Sequence, residues 1–370
     1  MVKTDRTVIA SFLPALIGGG AEKVTLTLTA GLARAGRKVD FIVGNRVGAL
    51  ANSVPEGCNL IDLGGRRVTR SVIPLARYLR KTRPRAIISQ MDFANPLVVL
   101  ASILSRSGTP VICVEHTPPE TMPYNYGFQR WINRIMYPRA AAVVAVSQGV
   151  AGSIRKHFGL PGLKVSVIHN GIVDEALMAK SREPVGHPWL ASTPAVPLFL
   201  AAGRLHRQKG FEYLLEAMAM VLKRREARLI ILGEGELHKE LNAQTDRLGI
   251  RSQVDFGGFQ SNPYPFFRAA DCFVLSSIFE GLPTVLIEAM ACGCKVVSTD
   301  CPSGPAEILN QEGLGFLVPP ANPAALADAM CAAVDFPFDR DKLRGRANDF
   351  SVENCIRNYL NLVDSTGIKT

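Results

Sequence analysis

The chain has 370 residues, of which 47% are hydrophobic and 20% are charged. This composition is typical of a folded globular protein and excludes a disordered chain, and the length suffices for two domains with separate cores. No apolar run reaches the ~18–20 residues that a membrane span requires, so we expect a soluble or peripheral protein. The apolar segment 8–17 has some features of a secretory signal core, but three glycines follow it at once, and we interpret it as a buried first strand.

The net charge of +10 is unevenly distributed. Residues 1–180 contain 23 Lys and Arg against 10 Asp and Glu, whereas residues 181–370 contain 19 against 22. This asymmetry predicts that the two halves meet different partners. The eight cysteines form no CxxC pair and have no histidine at metal-ligand spacing, which indicates reduced, buried thiols in a cytosolic protein.

The first half alternates short β-rich runs with helical stretches. A helix is predicted over residues 20–35, ending before Gly36, and the strands are "TVIASFL", "KVDFIVG", "AIISQ", "PVICVEH", "AAVVAVS" and "KVSVIHNG". Alternation of this kind predicts a parallel sheet with helices on both faces. We therefore assign residues 1–180 to an N-terminal doubly wound domain.

A second series of the same kind follows residues 181–197, which hold four prolines and are interpreted as the linker. Residues 198–349 form the second predicted doubly wound domain, with strands "PLFLAAGR", "RLIILGEG", "VDFGGF", "CFVLSS" and "KVVSTD" and helices over 210–225, 236–248 and 283–292. Residues 350–370 complete the chain, and an amphipathic helix over 350–364 is expected to dock back toward the N-terminal domain. The fold class is α/β, with ligands expected at the carboxyl ends of the strands, in a cleft between the domains.

Several strand ends carry residues suited to a phosphorylated ligand. Gly18, Gly19 and Gly20 lie between the first strand and the first helix, where backbone N–H groups can approach an anion, although a plain tight turn explains them equally well. Arg204 and Lys209 follow the first strand of the second domain, and the alternative for them is a solvated loop. Glycines at later strand ends, Gly233 among them, leave room for a flat nucleobase or simply form turns.

The segment "FEGLPTVLIEAMACGC" (279–294) places two carboxylates around one short helix. A helix that begins after Pro283 exposes the backbone N–H groups of residues 284–286, which could hold a diphosphate. We assign Leu282, Thr284 and Val285 to ligand binding. Glu288 lies among apolar residues and must be exposed to the cleft or hydrogen-bonded. Its partners would be ribose hydroxyls or, alternatively, a backbone amide or an arginine. Glu280 is placed to meet the sugar beyond the phosphates.

Two further motifs have competing explanations. His116 lies at the carboxyl end of "VICVEH", where a lone histidine is more often structural than catalytic. Asp339 and Asp341 form a D-x-D pattern in a charged stretch, which we interpret as surface rather than as a metal site. No metal ligands are predicted.

Taken together, these motifs resemble the retaining glycosyltransferases of family 4 (glycosyl transferases group 1). The resemblance rests on "GGGAEKV", "VIHNGI", "GRLHRQKGFEYLLEAM", the Glu280-x7-Glu288 segment and "FSVENCIRNYLNLV", which fall in the family's order along nearly the whole chain. It implies the GT-B fold, two Rossmann-like parallel-sheet domains facing a cleft. "CKVVS" departs from the pattern, with Lys295 where many members have proline.

The resemblance also implies site roles and a metal-independent reaction that needs no cofactor beyond the nucleotide-sugar donor. Arg204 and Lys209 would bind the donor diphosphate, with Gly19 approaching it from the other domain. Glu280 would bind donor-sugar hydroxyls, Glu288 the ribose, and His116 the region of the anomeric carbon. The segment 298–309 looks most like members that use UDP-sugars to build lipid-linked oligosaccharides and surface polysaccharides.

The acceptor side is predicted from basic and apolar residues in the first half. Residues 66–85 contain eight Arg and Lys and no acid, and residues 124–139 mix aromatic residues with arginines. Such patterns suit an anionic membrane surface, on the inner face of a bacterial inner membrane, although a solvated amphipathic helix is the alternative. No nucleic-acid motif accompanies the charge.

The alternatives within this fold are a GDP-mannose-dependent mannosyltransferase and a non-hydrolysing nucleotide-sugar epimerase. The alternative that is not an enzyme is a nucleotide-sugar-binding scaffold.

Overall fold

The fold is taken from a computed structural model, which describes residues 7–17, 19–48, 50–65, 67–121, 126–159, 163–191 and 196–366. Gly18, Arg66, residues 124–125 and part of the predicted linker (192–195) lie outside the described residues. The chain divides into two compact units: unit 1 contains residues 1–171 and 352–370, and unit 2 contains residues 172–351. Unit 2 therefore includes the residues predicted as the linker, and unit 1 includes the C-terminal segment.

Unit 1 is built on a seven-stranded sheet in which every paired strand is parallel to its neighbour. The strands are β1 (Ile9–Leu13), β2 (Val39–Val43), β3 (Cys58–Asp62), β4 (Ala86–Ser89), β5 (Val111–Glu115), β6 (Ala142–Ala145) and β7 (Val165–Val167). Their order is β3-β2-β1-β4-β5-β6-β7. The order reverses between β1 and β4, which is where an open α/β sheet usually binds its ligand.

Helices cover this sheet because their apolar faces need a surface on which to be buried. They are α1 (Gly20–Arg34), α2 (Val72–Thr82), α3 (Asn95–Ser105), α4 (Tyr126–Met136), α5 (Gln148–Phe158) and, from the end of the chain, α15 (Val352–Ser365). Gly31 of α1 allows α15 to pack closely, since a Cβ at this position would lie 2.4 Å from Cδ1 of Ile356. Asp364 on α15 also binds Arg37 and Arg85.

Unit 2 repeats the architecture with a six-stranded parallel sheet of order β10-β9-β8-β11-β12-β13. The strands are β8 (Leu198–Ala202), β9 (Arg228–Leu232), β10 (Val254–Gly258), β11 (Cys272–Leu275), β12 (Lys295–Thr299) and β13 (Phe316–Val318). Its helices are α6 (Glu175–Lys180), α7 (Pro188–Ala191), α8 (Phe211–Leu222), α9 (His238–Leu248), α10 (Tyr264–Ala269), α11 (Thr284–Ala291), α12 (Pro305–Ile308), α13 (Pro323–Asp335) and α14 (Arg340–Asn348). The order reverses between β8 and β11.

The segment before β8 lies against unit 2. His187 Nε2 is 3.3 Å from Asp255 Oδ2, and the guanidinium of Arg228 lies over the Trp189 ring at 5.2 Å. The chain enters and leaves unit 2 side by side, because the backbone N–H groups of Ile172 and Val173 both donate to Phe350 O. The eight cysteines are free thiols, and six of them are buried. None of the helices in the described part of the chain is long and apolar enough to cross a membrane.

Candidate functional site

The strand order of unit 2 brings two site loops together. Residues 203–210 follow β8 and residues 276–283 follow β11, and these two strands are neighbours in the sheet. Three hydrogen bonds join the loops: Ile278 N to Gln208 O at 2.8 Å, Gln208 Nε2 to Phe279 O at 3.1 Å, and Ser276 Oγ to Lys209 O at 2.8 Å. The predicted phosphate loop and the predicted sugar-binding segment therefore form one connected surface, although about 70 residues of chain separate them.

Gly210 is required where these loops meet. Its φ of +60° lies in the left-handed region, and a Cβ on this residue would lie 2.2 Å from the carbonyl oxygen of Ser276. Any side chain at 210 would therefore be strained and would also push the two loops apart. The same residue ends the short 3₁₀ turn at 207–209 and precedes α8.

At the centre of the joined loops lies a charge pair that the sequence did not predict. Lys209 Nζ donates to Glu280 Oε1 at 2.6 Å, and the hydroxyl of Ser277 donates to the same oxygen at 2.7 Å. Both charged side chains are largely buried, with 17% of Lys209 and 8% of Glu280 exposed. Ser277 is itself held by Thr299, whose hydroxyl donates to its carbonyl oxygen at 2.6 Å. The pairing compensates part of the cost of burying each charge.

Helix α11 begins directly after Glu280-Gly281-Leu282-Pro283. Leu282 is buried, and Thr284 and Val285 are half-buried in the first turn, which contains no acidic residue. The N-terminal end of this helix thus carries partial positive charge beside the Lys209–Glu280 pair. Arg204 is exposed in the same loop that follows β8. This arrangement can bind an anion through backbone N–H groups and two cations.

Glu288 is half-buried, one turn further along α11. Its carboxylate lies near Tyr264 of α10: burial, and secondarily the charge of Glu288, raise the pKa of the Tyr264 phenol above its ordinary value. The structure thus places Glu288 beside the first turn of α10, and Glu280 beside Lys209. The two carboxylates therefore lie in different surroundings.

Gly233 has a packing role that sequence reasoning gave only as an alternative. Its φ is +133°, and a Cβ there would lie 2.0 Å from the carbonyl oxygen of Gly203. Gly235 likewise approaches Leu205, where a Cβ would lie 2.4 Å from the carbonyl oxygen. The space next to these glycines is occupied by neighbouring backbone. Close contact between the β8 and β9 loops is therefore enough to require glycine at both positions.

In unit 1, Gly19 precedes α1 in an extended conformation. The carboxylate of Glu22 lies over it, since a Cβ at Gly19 would be 2.5 Å from Glu22 Oε2, and Glu22 is buried. An acid thus already occupies the positive end of α1. An anion bound at Gly19 would meet a like charge there, which is a feature that the glycine run alone does not reveal.

His116 follows β5 at the carboxyl edge of the unit 1 sheet. Its Nε2 lies 3.1 Å from Oε1 of Gln90, the residue that directly follows β4. Burial lowers the pKa of His116 to about 4, so the ring is neutral near pH 7. Gln90 was not singled out from the sequence, although its signal was a polar residue at the end of an apolar strand.

A buried acid precedes His116. Glu115 accepts hydrogen bonds from Tyr137 Oη and from Asn95 Nδ2, the latter at 3.2 Å. Burial, with a smaller contribution from the charge of Asp92, raises the pKa of Glu115 to about 8. Glu115 is therefore protonated through most of the physiological pH range. Like Gln90, it was not singled out from the sequence, because it lies within an apolar strand.

This pKa shift predicts a pH-dependent stability. An unfolded Glu115 loses its proton near its ordinary pKa of about 4.5, whereas the folded protein retains it until pH of about 8. Folding therefore takes up a proton between these values, and the free energy of unfolding should fall as pH rises through this window. We expect Glu115→Gln to remove this contribution and to be more stable than the wild type at pH 8, measured by urea denaturation at pH 5, 6.5 and 8.

Glu56→Gln, at an exposed position of the same unit, is the matched control and should leave the pH dependence unchanged. An equal loss of stability in Glu115→Gln at every pH would contradict the assignment of a protonated Glu115.

Asp339 and Asp341 lie on the surface of unit 2, as expected. Asp339 caps α14, its Oδ1 accepting from the backbone N–H groups of Asp341 at 2.9 Å and Lys342 at 3.1 Å. Within the described ranges, no three His, Cys, Asp or Glu side chains come together in a way that could hold a metal ion.

Solved structures identify the class of fold. A glycosyltransferase from Rickettsia africae superposes with a TM-score of 0.81 at 20% identity, covering 98% of this chain and 99% of that one. HepE from Anabaena, solved in complex with UDP, superposes with a TM-score of 0.78 at 20% identity, covering 97% of this chain and 100% of that one. The two doubly wound units are thus those of the GT-B fold, as predicted.

Family models give the more particular assignment. The model described as "Glycosyltransferase Family 4" matches residues 18–176, and "Glycosyl transferases group 1" matches residues 196–335. The chain therefore belongs to the family 4 glycosyltransferases and is an enzyme of that class. Among its relatives is the N-acetylgalactosamine-N,N'-diacetylbacillosaminyl-diphospho-undecaprenol 4-alpha-N-acetylgalactosaminyltransferase of Campylobacter jejuni, 28% identical over 90% of each chain.

Proposed function

We propose that this glycosyltransferase moves a hexose or N-acetylhexosamine from a UDP-sugar to a lipid-linked or polysaccharide acceptor in bacterial envelope glycan synthesis, with retention of configuration. The observation that carries the proposal is the joined loop pair of unit 2, in which Lys209, Glu280 and the start of α11 lie together. The name of the Campylobacter relative supports a diphospho-undecaprenol-linked acceptor. The UDP complex of HepE supports a uridine nucleotide as the donor.

The proposed reaction is metal-independent. As the sugar–phosphate bond breaks, negative charge develops on the leaving diphosphate, and Arg204, Lys209 and the N-terminal end of α11 would stabilise it. Two fixed cations and a helix end can supply the charge that a divalent ion supplies in other transferases. We expect full activity in EDTA, with no increase when Mg²⁺ or Mn²⁺ is added.

The roles proposed for the two carboxylates are those that the family resemblance implies. Glu280 would accept hydrogen bonds from hydroxyls of the transferred sugar, next to the diphosphate that Lys209 binds. Glu288 would accept from the ribose hydroxyls. Since no carboxylate in this set is assigned as a nucleophile, we propose that the acceptor hydroxyl attacks the anomeric carbon from the same face that the diphosphate leaves. The leaving phosphate would take the proton of that hydroxyl. His116 would lie near the anomeric carbon.

Binding to an anionic membrane surface is the second part of the proposal, and the exposed face of α2 supports it. Arg70, just before this helix, and Ile73, Arg77 and Lys81 within it follow at intervals of three or four residues and are all exposed. Not every cation of the basic stretch is available for this role. Arg80 donates to the carbonyl oxygens of Ser105 and Leu104 at the end of α3, and Arg85 binds Asp364.

Exposed apolar side chains in the segments that follow adjacent strands of the unit 1 sheet support the same proposal. They follow four adjacent strands, β2, β1, β4 and β5, and are Val47, Ile17, Phe93, Phe128 and Trp131. The rings of Phe128 and Trp131 stack with centroids 6.3 Å apart on α4 and are 64% and 60% exposed. Exposed apolar side chains such as the Phe128–Trp131 pair are typical of a surface that meets lipid or another apolar partner.

The experiment has three stages. Thermal shifts with UDP-, GDP- and ADP-sugars identify the donor, transfer to a membrane extract tests the activity, and co-sedimentation tests binding to vesicles with and without anionic lipid. Stabilisation by GDP-mannose alone would favour the mannosyltransferase alternative, and no turnover of any donor would favour a binding scaffold. Release of an epimerised nucleotide sugar would instead favour the epimerase.

A further inference from the structure

The segment that carries Glu280 is held from both neighbouring strands of the unit 2 sheet. On the side of β8, three hydrogen bonds join it to the loop 203–210. On the side of β12, the hydroxyl of Thr299 donates to Ser277 O at 2.6 Å, and the backbone N–H of Glu280 donates to Pro302 O at 3.5 Å. The backbone around Glu280 is therefore fixed before any ligand binds.

The two side chains that donate to the Glu280 carboxylate use the same oxygen. Lys209 Nζ and the Ser277 hydroxyl both donate to Oε1, at 2.6 Å and 2.7 Å. The other oxygen, Oε2, accepts no hydrogen bond within the described part of the chain, and it is accessible to solvent. An ionised carboxylate has about four acceptor sites, two on each oxygen. The protein therefore satisfies Oε1, and Oε2 remains to accept from a ligand.

The two donors differ in how firmly they are placed. Ser277 is completely buried, its hydroxyl lies one bond from Cβ, and its carbonyl oxygen is bonded to Thr299 at the end of β12. Lys209 carries its ammonium group on a flexible four-carbon stem, and 17% of its side chain is exposed. Under the proposed function Lys209 also binds the donor diphosphate. Its hydrogen bond to Glu280 can then be exchanged for one to phosphate, whereas the hydrogen bond from Ser277 stays in place.

We infer that Ser277 is a positioning residue for the transferred sugar: it anchors Oε1 of Glu280, so that Oε2 is presented to a sugar hydroxyl even when Lys209 is engaged with the diphosphate. The inference rests on the proposed function for the identity of the ligand, but not for the anchoring of Glu280. Serine suits this position because its hydroxyl donates to the carboxylate without adding charge.

Urea denaturation tests the anchoring without any substrate. Ser277→Ala should destabilise the wild type, because the Glu280 carboxylate loses a charge-assisted hydrogen bond. In a Glu280→Met background the same change should be neutral or stabilising, since the buried hydroxyl of Ser277 has already lost the carboxylate that accepts from it. Ser298→Ala, which removes another completely buried hydroxyl of the same sheet, is the control and should have equal effects in both backgrounds. An equal loss of stability for Ser277→Ala in both backgrounds would overturn the inference.

Kinetics test the consequence for sugar transfer. We expect Ser277→Ala to lower kcat/KM with UDP-sugar by about tenfold, which corresponds to one lost hydrogen bond, and to change the inhibition constant of UDP much less, because UDP lacks the transferred sugar. In the Glu280→Met background, Ser277→Ala should cause no further loss of activity. Equal weakening of UDP and UDP-sugar, or the same loss of activity in both backgrounds, would refute a role through Glu280. If the wild type turns over no UDP-sugar, the proposed function fails, and the denaturation experiment still decides the role of Ser277.

Discussion

Lys209→Met should lower kcat/KM for sugar transfer by about 10²–10³, the usual cost of removing one group that stabilises developing negative charge. It should also destabilise unit 2, because the buried Glu280 carboxylate would lose its counter-charge and keep the hydrogen bond from Ser277. Removing one partner of such a buried pair costs on the order of 3 kcal/mol. Transfer assays and urea denaturation measure the two effects separately.

The double variant Lys209→Met with Glu280→Gln distinguishes a structural role from a chemical one. Removing both charges leaves no uncompensated carboxylate, and we expect the stability to return most of the way to that of the wild type. The activity should remain low. If stability and activity returned together, the loss of activity in Lys209→Met would be due to unfolding, and Lys209 would have no direct role with the diphosphate.

Substitutions of the two carboxylates, Glu280 and Glu288, should affect UDP and UDP-sugar differently. We expect Glu280→Gln to lower kcat/KM with UDP-sugar by about 10–100-fold, since a hydrogen bond to a charged group contributes about 1.5–3 kcal/mol. It should not weaken the binding of UDP, because Lys209 loses its carboxylate partner and keeps its charge for the diphosphate. Glu288→Gln should weaken the binding of UDP and the binding of UDP-sugar by similar factors, because both ligands carry the ribose.

Glu216→Gln, on the exposed side of α8, is the control for the change of charge in unit 2 and should affect neither ligand. The opposite result would be weaker UDP binding in Glu280→Gln and unchanged UDP binding in Glu288→Gln. It would assign the ribose to Glu280 and the transferred sugar to Glu288.

Most of the fold could be predicted from the sequence because its central strands are continuous apolar runs. The strands missed were β3, a partly exposed edge strand that alternates with polar residues, and the three-residue β13. Helix α8 was placed one residue early and three residues too long, since Gly210 takes a left-handed conformation before it and the chain turns after Leu222. Edge strands and the ends of helices depend on contacts with residues distant in the sequence, which a local sequence pattern does not contain.

The individual site residues were easier to predict than their contacts with one another. Lys209 and Glu280 were each assigned to a ligand through the family resemblance, but their mutual hydrogen bond depends on β8 and β11 being adjacent. Gln90 was missed for a similar reason, since its importance comes from the position of His116 on the next strand. The assignments to the ligand stay predictions, whereas the contacts are features of the folded chain.

The passage of the chain between the units has a practical consequence. Unit 2 is one continuous segment inserted into unit 1, and its two ends run together where Ile172 and Val173 bind Phe350. At the same junction, a Cβ on Gly171 would lie 2.8 Å from Cα of Val352, so there is little room for a changed connection. A chimaera with another family member therefore cannot be made with one crossover, which would separate α15 from α1. Exchanging residues 172–351 as a cassette, with both junctions preserved, keeps the packing of Gly31 against Ile356 intact.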